Sequence, residues 1–143
     1  MKADAKTEAA VKAVLNKWAE GYAKRDWALF RATFAPDPDV VLYGTGADEK
    51  RVGLAEIQAQ AERDWSQSDV ATMTYGWTSV STAGSVAWAA TDATFHMKGG
   101  GQEMTLQGRI TFVLEKRGEE WLIVQAHISF PATGQAEGES FPA

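Results

Sequence analysis

Cysteine is missing from all 143 residues, which excludes disulfides, thiol nucleophiles and thiolate metal sites in one step. Histidine is nearly missing too. His96 and His127 fall on separate predicted strands, too few for a structural zinc site, and no metal is expected. No apolar run approaches the ~20 residues of a membrane-spanning helix, so no membrane partner is expected. Nor is there a run of Lys and Arg: 14 basic against 19 acidic residues leave a formal net charge of −5. A protein that tracks phosphates needs a basic surface, which argues against nucleic acid as a partner. The opening MKADAKTEAAVKAV lacks the apolar centre and small-residue cleavage site of a secretory signal, so cytoplasmic residence is the expectation. No G-x-S-x-G elbow, phosphate loop or H-E-x-x-H helix occurs. Gly44-Thr45-Gly46 lacks the third glycine of a dinucleotide fingerprint and reads as a turn.

What is present is apolar and aromatic. Hydrophobic residues make up 45%, with six Trp, six Phe and three Tyr, enough large flat side chains for a core or an apolar pocket. The length fits one domain, drawn here as residues 1–131. Residues 132–143 (ATGQAEGESFPA) lack periodicity and read as a mobile tail.

Along residues 3–24, Val11, Val14, Leu15, Trp18 and Tyr22 recur at the spacing of one helix face. Asp26 can cap a second, shorter helix that buries Trp27, Phe30 and Phe34, with Pro36 and Pro38 ending it. Val40–Tyr43 reads as a short strand. A third helix over residues 53–65 buries Leu54, Ile57, Ala61 and Trp65. Four strands follow near 70–81, 85–97, 102–115 and 120–130, joined by turn-like Thr82-Ala83-Gly84, Gly99-Gly100-Gly101 and Arg117-Gly118-Glu119. Helices first and a long meander afterwards predict an α+β fold with the helices on one side of a curved sheet.

The last hairpin has two unlike faces. Alternation puts Ile110, Phe112 and Leu114 with Leu122, Val124, Ala126, Ile128 and Phe130 on a core face. Arg109, Thr111, Val113, Trp121, Ile123, Gln125, His127 and Ser129 share the other. A turn centred on Gly118 would set His127 opposite Arg109 and Gln125 opposite Thr111. This polar-aromatic face suits either an anion or polar-substrate site, with His127 moving a proton, or a dimer interface anchored by Trp121. A bulge in the hairpin would exchange the faces. On the preceding strand, Trp88, Ala90, Asp92, Thr94 and His96 share a face. Asp92 and His96 are ~13 Å apart along a regular strand and cannot form a direct dyad. Each would act with a group from another element, such as Tyr22, Tyr75 or Trp18; the alternative is a strand whose polar residues are simply solvated.

The chain resembles the nuclear transport factor 2-like superfamily, and within it the SnoaL-like branch, over nearly all of residues 5–131. The resemblance rests on the element order and on Trp27, Phe30 and Phe34-Ala35 before the Pro36-Asp37 turn. It rests also on Gly108-Arg109-Ile110-Thr111 and on the run from Trp121 to Ser129, which is similar to the branch's W-x-I-x-x-x-H-x-S close. It implies a cone in which a curved antiparallel sheet wraps the long N-terminal helix, beside two further short helices, around a deep and mostly apolar pocket. Members include ketosteroid isomerases, polyketide cyclases, dehydratases and epoxide hydrolases. Others, such as the association domain of calmodulin-dependent kinase, are not catalytic, and dimers through the outer sheet face are common. The two isomerase carboxylates fall on Leu42 and Ile110 here, so ketosteroid isomerisation is not expected.

The expectations are then specific. The resemblance turns Trp88, Asp92 and His96 inward, with a ligand pocket of Trp18, Leu42, Trp65, Trp88, Ile110, Phe112, Ala126 and Ile128 around a small apolar ligand. Catalysis, if present, would be cofactor-free proton transfer of the isomerase, cyclase or dehydratase kind. Asp92 would be base or acid, His96 its companion and Tyr22 a hydrogen-bond donor. The resemblance also turns Arg109, Thr111, Trp121, Gln125 and His127 outward, toward a partner in a homodimer. The competing reading is a non-catalytic ligand-binding or association domain.

Overall fold

A computed structural model of the chain describes residues 1–143. Helix α1 spans Ala5–Ala23 and starts at Asp4, whose carboxylate accepts from the Thr7 amide at 2.8 Å. Its inner face buries Val11, Leu15 and Trp18. Gly21 continues that face because the chain doubles back there: a Cβ would stand 2.6 Å from the Phe30 backbone nitrogen. The reversal runs through Arg25, the one non-glycine residue with positive φ, and Asp26 caps α2, Trp27–Arg31. After β1 (Val41–Tyr43) and β2 (Lys50–Val52) comes α3, Leu54–Ser66. The long meander β3 (Val70–Ala83), β4 (Val86–Gly99), β5 (Gln102–Arg117) and β6 (Glu120–Ser129) completes the fold.

The six strands form one sheet in the order β2-β1-β6-β5-β4-β3. Every pair is antiparallel except β1 with β6, so the sheet is mixed where a purely antiparallel one was expected. The short β2 was not anticipated. Lys50-Arg51-Val52 carries too much charge to read as a strand, yet a charged edge strand discourages pairing with another chain. Helices and sheet together form an α+β cone closed over one core. Trp18 sits at its centre, its ring 5.4 Å from Phe30 and edge-on to Phe112 at 5.3 Å. Burying each such ring stabilises the fold by about 1.5–3 kcal/mol.

Register decides which side chains look inward, and it corrects several expectations. The turn between β4 and β5 is two residues, Gly100 and Gly101, both at positive φ, which pairs Gly99 with Gln102 and so Asp92 with Arg109. Trp88, Asp92 and His96 therefore share the outer face with Arg109, and the inner positions of β4 are Ala87, Ala89, Thr91, Ala93 and Phe95. The inward placement of Trp88, Asp92 and His96 is overturned.

On the last hairpin, Ile110, Phe112, Leu114 and Ala126 are buried, as alternation indicated. A bulge falls where Val113 pairs with Gln125 but Leu114 with Ile123. The extra residue reverses the alternation along β6, so Trp121 and Ile123 are buried, at 7% and 0% exposure, while Leu122 and Val124 are only half-buried. Trp121 is a core residue, not an anchor on the outer face. The two-residue Gly118-Glu119 turn and the bulge each move the pairing by one residue: Thr111 faces His127, Val113 faces Gln125, and Arg109 faces Ser129, donating to its hydroxyl at 3.2 Å.

Candidate functional site

A cavity of about 420 Å³ opens between α1, α3 and the end of the sheet where β3 begins and β4 and β6 finish. Its walls are mostly apolar. Trp18 and Phe30 close the base, Ile57 and Ala61 come from α3, Met73, Phe95, Met97, Leu106 and Ile128 come from the strands, and Phe130 follows the end of β6. Leu42 lines it from β1. The room exists partly because Gly108 has no side chain. Phe95 and Phe130 stack edge-on at 5.3 Å across it, and a Cβ there would stand 2.9 Å from both rings.

One corner is polar, and α3 builds it. Ile57, Gln60, Ala61 and Asp64 follow one another at i, i+3, i+4 and i+7, so two polar groups sit on the stripe that faces the core. Tyr22, one turn beyond Trp18 on α1, donates its hydroxyl to Asp64 Oδ2 at 2.8 Å. Gln60, 5% exposed, donates from Nε2 to Asp64 Oδ1 at 2.7 Å and to Glu49 Oε1 at 3.1 Å. Its Oε1 accepts from Arg51 Nε at 2.9 Å and from Arg63 at 3.2 Å. Glu49 is seated by the Gly46 amide at 2.7 Å and by Arg63 at 3.1 Å. Here the Gly44-Thr45-Gly46 turn has its use: a Cβ on Gly44 would stand 2.3 Å from the Glu49 carboxylate.

The electrostatics of this corner follow from burial. Removal from water pushes the Asp64 carboxyl upward, and the neighbouring charge of Glu49 adds to that. The hydrogen bonds from Tyr22 and Gln60 pull the other way and are outweighed. Tyr22 is pushed well above the ordinary phenol range by burial first and by Asp64 second, so it stays protonated as a donor. A neutral phenol beside a carboxyl drawn toward its protonated form can exchange hydrogen bonds with a ligand and move a proton. The indole Nε1 of Trp18 is buried in the core without a hydrogen-bond partner in the protein. No group of three or more His, Asp or Glu is placed to hold a metal ion.

The expected site residues are distributed as follows. Trp18, Tyr22, Leu42 and Ile128 line the cavity. Ile110, Phe112 and Ala126 lie in the core beyond its wall. Trp65 stands behind Tyr22, its indole donating to the Tyr22 carbonyl at 2.9 Å. Asp92 and His96 are exposed on the far side of the sheet, where His96 meets Thr105 at 3.2 Å, so neither reaches the cavity. Arg109, Thr111, Gln125 and His127 are exposed on that same outer face, with Tyr43 against the His127 ring at 5.2 Å. Asp64, Gln60 and Glu49 were missed. Their signal was a pair of polar residues interrupting the apolar stripe of α3.

The SnoaL-like domain model matches residues 11–133, and the chain belongs to that family. No curated protein sequence matches it. Solved structures with the same fold include a Xanthomonas campestris protein provisionally named a calcium/calmodulin dependent protein kinase II association domain. It is 26% identical, with a TM-score of 0.75 and 86% of each chain covered. A nuclear transport factor 2-like superfamily protein from Salmonella enterica is 22% identical, with a TM-score of 0.80, covering 95% of this chain and 96% of that one. A Streptomyces avermitilis protein provisionally named a dehydratase of the same family is 13% identical at a TM-score of 0.80, covering 87% and 96%.

Proposed function

We propose that the cavity binds a small, largely apolar molecule and that the protein performs cofactor-free proton transfer on it, of the isomerase, cyclase or dehydratase kind. One observation carries this reading. A Tyr–Asp pair, with Gln60 and Glu49 beside it, faces a cavity whose remaining walls are mostly apolar. Asp64 takes the role first expected of Asp92: it accepts or returns a proton, its burial raising the carboxyl above its ordinary value. Tyr22 donates to the oxygen on which charge develops, and the apolar walls exclude water that would screen it. Screening of steroid-like, polyketide-like and terpene-like compounds by thermal shift identifies ligands, because binding raises the melting temperature in step with ln(1 + [L]/Kd). Turnover of a ligand so found should be lost in Asp64→Asn and survive in Asp92→Asn. Full activity in Asp64→Asn removes Asp64 from the chemistry.

A second reading is favoured by a different observation. The corner's hydrogen bonds are already closed within the protein, and the outer sheet face aligns Trp88, Val113 and Gln125 in one row and Ala90, Thr111, His127 and Tyr43 in the next. A flat face of this composition suits a homodimer contact, with Arg109 at its side, and the chain would then be a non-catalytic ligand-binding or association domain. Absence of turnover for every compound that binds supports this second reading.

A further inference from the structure

The charges around the cavity are one-sided. Two carboxylates, Glu49 and Asp64, belong to its lining, and no Lys, Arg or His does. Arg51 and Arg63 stand behind that wall, held there by Gln60, Glu49 and Asp48, so their charge is spent on the protein's own groups. A carboxylate or phosphate entering this space would leave water, gain no cation and meet two acids. In an apolar surround, an unpaired charge costs far more than it does at the surface.

We infer that the ligand carries no negative charge and presents a hydrogen-bond donor, a hydroxyl or an amine, to the Glu49–Asp64 corner while its ring system packs on the aromatic wall. This rests on the ligand-cavity reading above and adds the chemical class. Trp18, Phe95 and Phe130 are the aromatic residues of the lining on which the ring would pack. A volume of about 420 Å³ equals the share of about fourteen water molecules, room for a ring compound of about a dozen heavy atoms. Hydroxyl and amine share the required donor chemistry; Glu49 is already paired with Arg63 and the Asp64 carboxyl is drawn toward its neutral form, so an amine's charge gains less here than a full ion pair.

Three compounds of one shape separate the possibilities: naphthalenemethanol, naphthalenemethylamine and naphthoate, titrated calorimetrically into the full chain at neutral pH. The alcohol or the amine should bind at least about tenfold more tightly than the carboxylate. The tighter of the two names the donor: alcohol for a hydroxyl ligand, amine for a cationic one. Asp64→Asn, and separately Glu49→Gln, should narrow the gap chiefly by improving naphthoate binding. Two variants on different elements guard against a folding defect in either. If naphthoate binds best, the charge assignment is overturned while the cavity stands as a ligand site. If none of the three binds, the ligand-cavity reading and this inference fall together.

Discussion

The Tyr22 hydroxyl donates to Asp64 Oδ2 at 2.8 Å, joining the last turn of α1 to the last turn of α3 across 42 residues of sequence. Trp65 returns the tie by donating to the Tyr22 carbonyl at 2.9 Å, and Arg25 adds donations to the carbonyls of Trp65 and Ser68. The polar corner therefore rests on a doubly braced joint between two helices. Tyr22→Phe keeps the ring but removes one bond from a part-buried carboxyl. Urea unfolding should report a loss of about 1–2 kcal/mol. No loss would mean that the bond is replaced by water at no cost.

The Asp64 carboxyl gives a pH-dependent signature. Its folded-state pKa lies above its ordinary value, so its contribution is favourable below the unfolded pKa of about 4 and fades as pH rises through the folded pKa. Asp64→Asn removes that titration. The melting temperature of the variant minus that of the wild type should therefore rise with pH from about 4 upward, on top of a constant loss from one missing acceptor. A difference that is flat with pH would contradict the assignment. The opposite trend belongs to Asp37, which the Arg117 guanidinium holds below its ordinary range, so its contribution is present at neutral pH and lost as pH falls.

Two glycines should respond differently to alanine. At Gly21 the obstacle is backbone, Phe30 N at 2.6 Å and Phe30 Cα at 2.8 Å, so the joint between α1 and α2 must open. Gly21→Ala should cost about 1–3 kcal/mol in chemical denaturation. At Gly108 the obstacles are the rings of Phe95 and Phe130, which can tilt into the cavity. Gly108→Ala should weaken naphthalenemethanol binding more than it weakens the fold. Equal effects on both measurements would show that Phe95 and Phe130 are not free to move.

Two substitutions separate the dimer proposal from a folding defect. Trp121→Asp would bury a charge in the core and should destabilise the protein by more than about 3 kcal/mol, whatever its oligomeric state. Arg109→Glu changes only an exposed residue of the outer face. Sedimentation of the wild type should give twice the chain mass, and Arg109→Glu should reduce it to one chain with an unchanged melting temperature. A wild-type monomer at micromolar concentration contradicts the proposal.

The helices and the four long strands were readable because their apolar spacing and turn residues agree: Val11, Leu15 and Trp18 on α1, Asp26 before α2, glycine at each hairpin. Inward and outward were harder, because they depend on register, where one residue reverses every side chain. The two-residue Gly100-Gly101 turn would have set Asp92 opposite Arg109 had it been read as two residues instead of three. The bulge in β6 had no such marker; Val124 and Gln125 look like ordinary strand residues, and only the pairing exposes the extra one. The polar corner was half legible. Tyr22 stood out on the apolar face of α1, whereas Gln60 and Asp64 are polar residues whose inward placement shows only once their helix is set against the sheet.

The indole N–H signals of the six tryptophans give the most direct test, since they sit on both sides of the sheet. Trp18 lines the cavity, while Trp77 is exposed and Trp88 lies on the outer face. With each indole assigned by single Trp→Phe variants, naphthalenemethanol should be titrated in while the nitrogen–proton correlation spectrum is followed. Trp18 should shift progressively and saturably, with Trp77 and Trp88 unmoved. Saturable shifts at Trp88 with Trp18 unmoved would place binding on the outer face and contradict the cavity as the site.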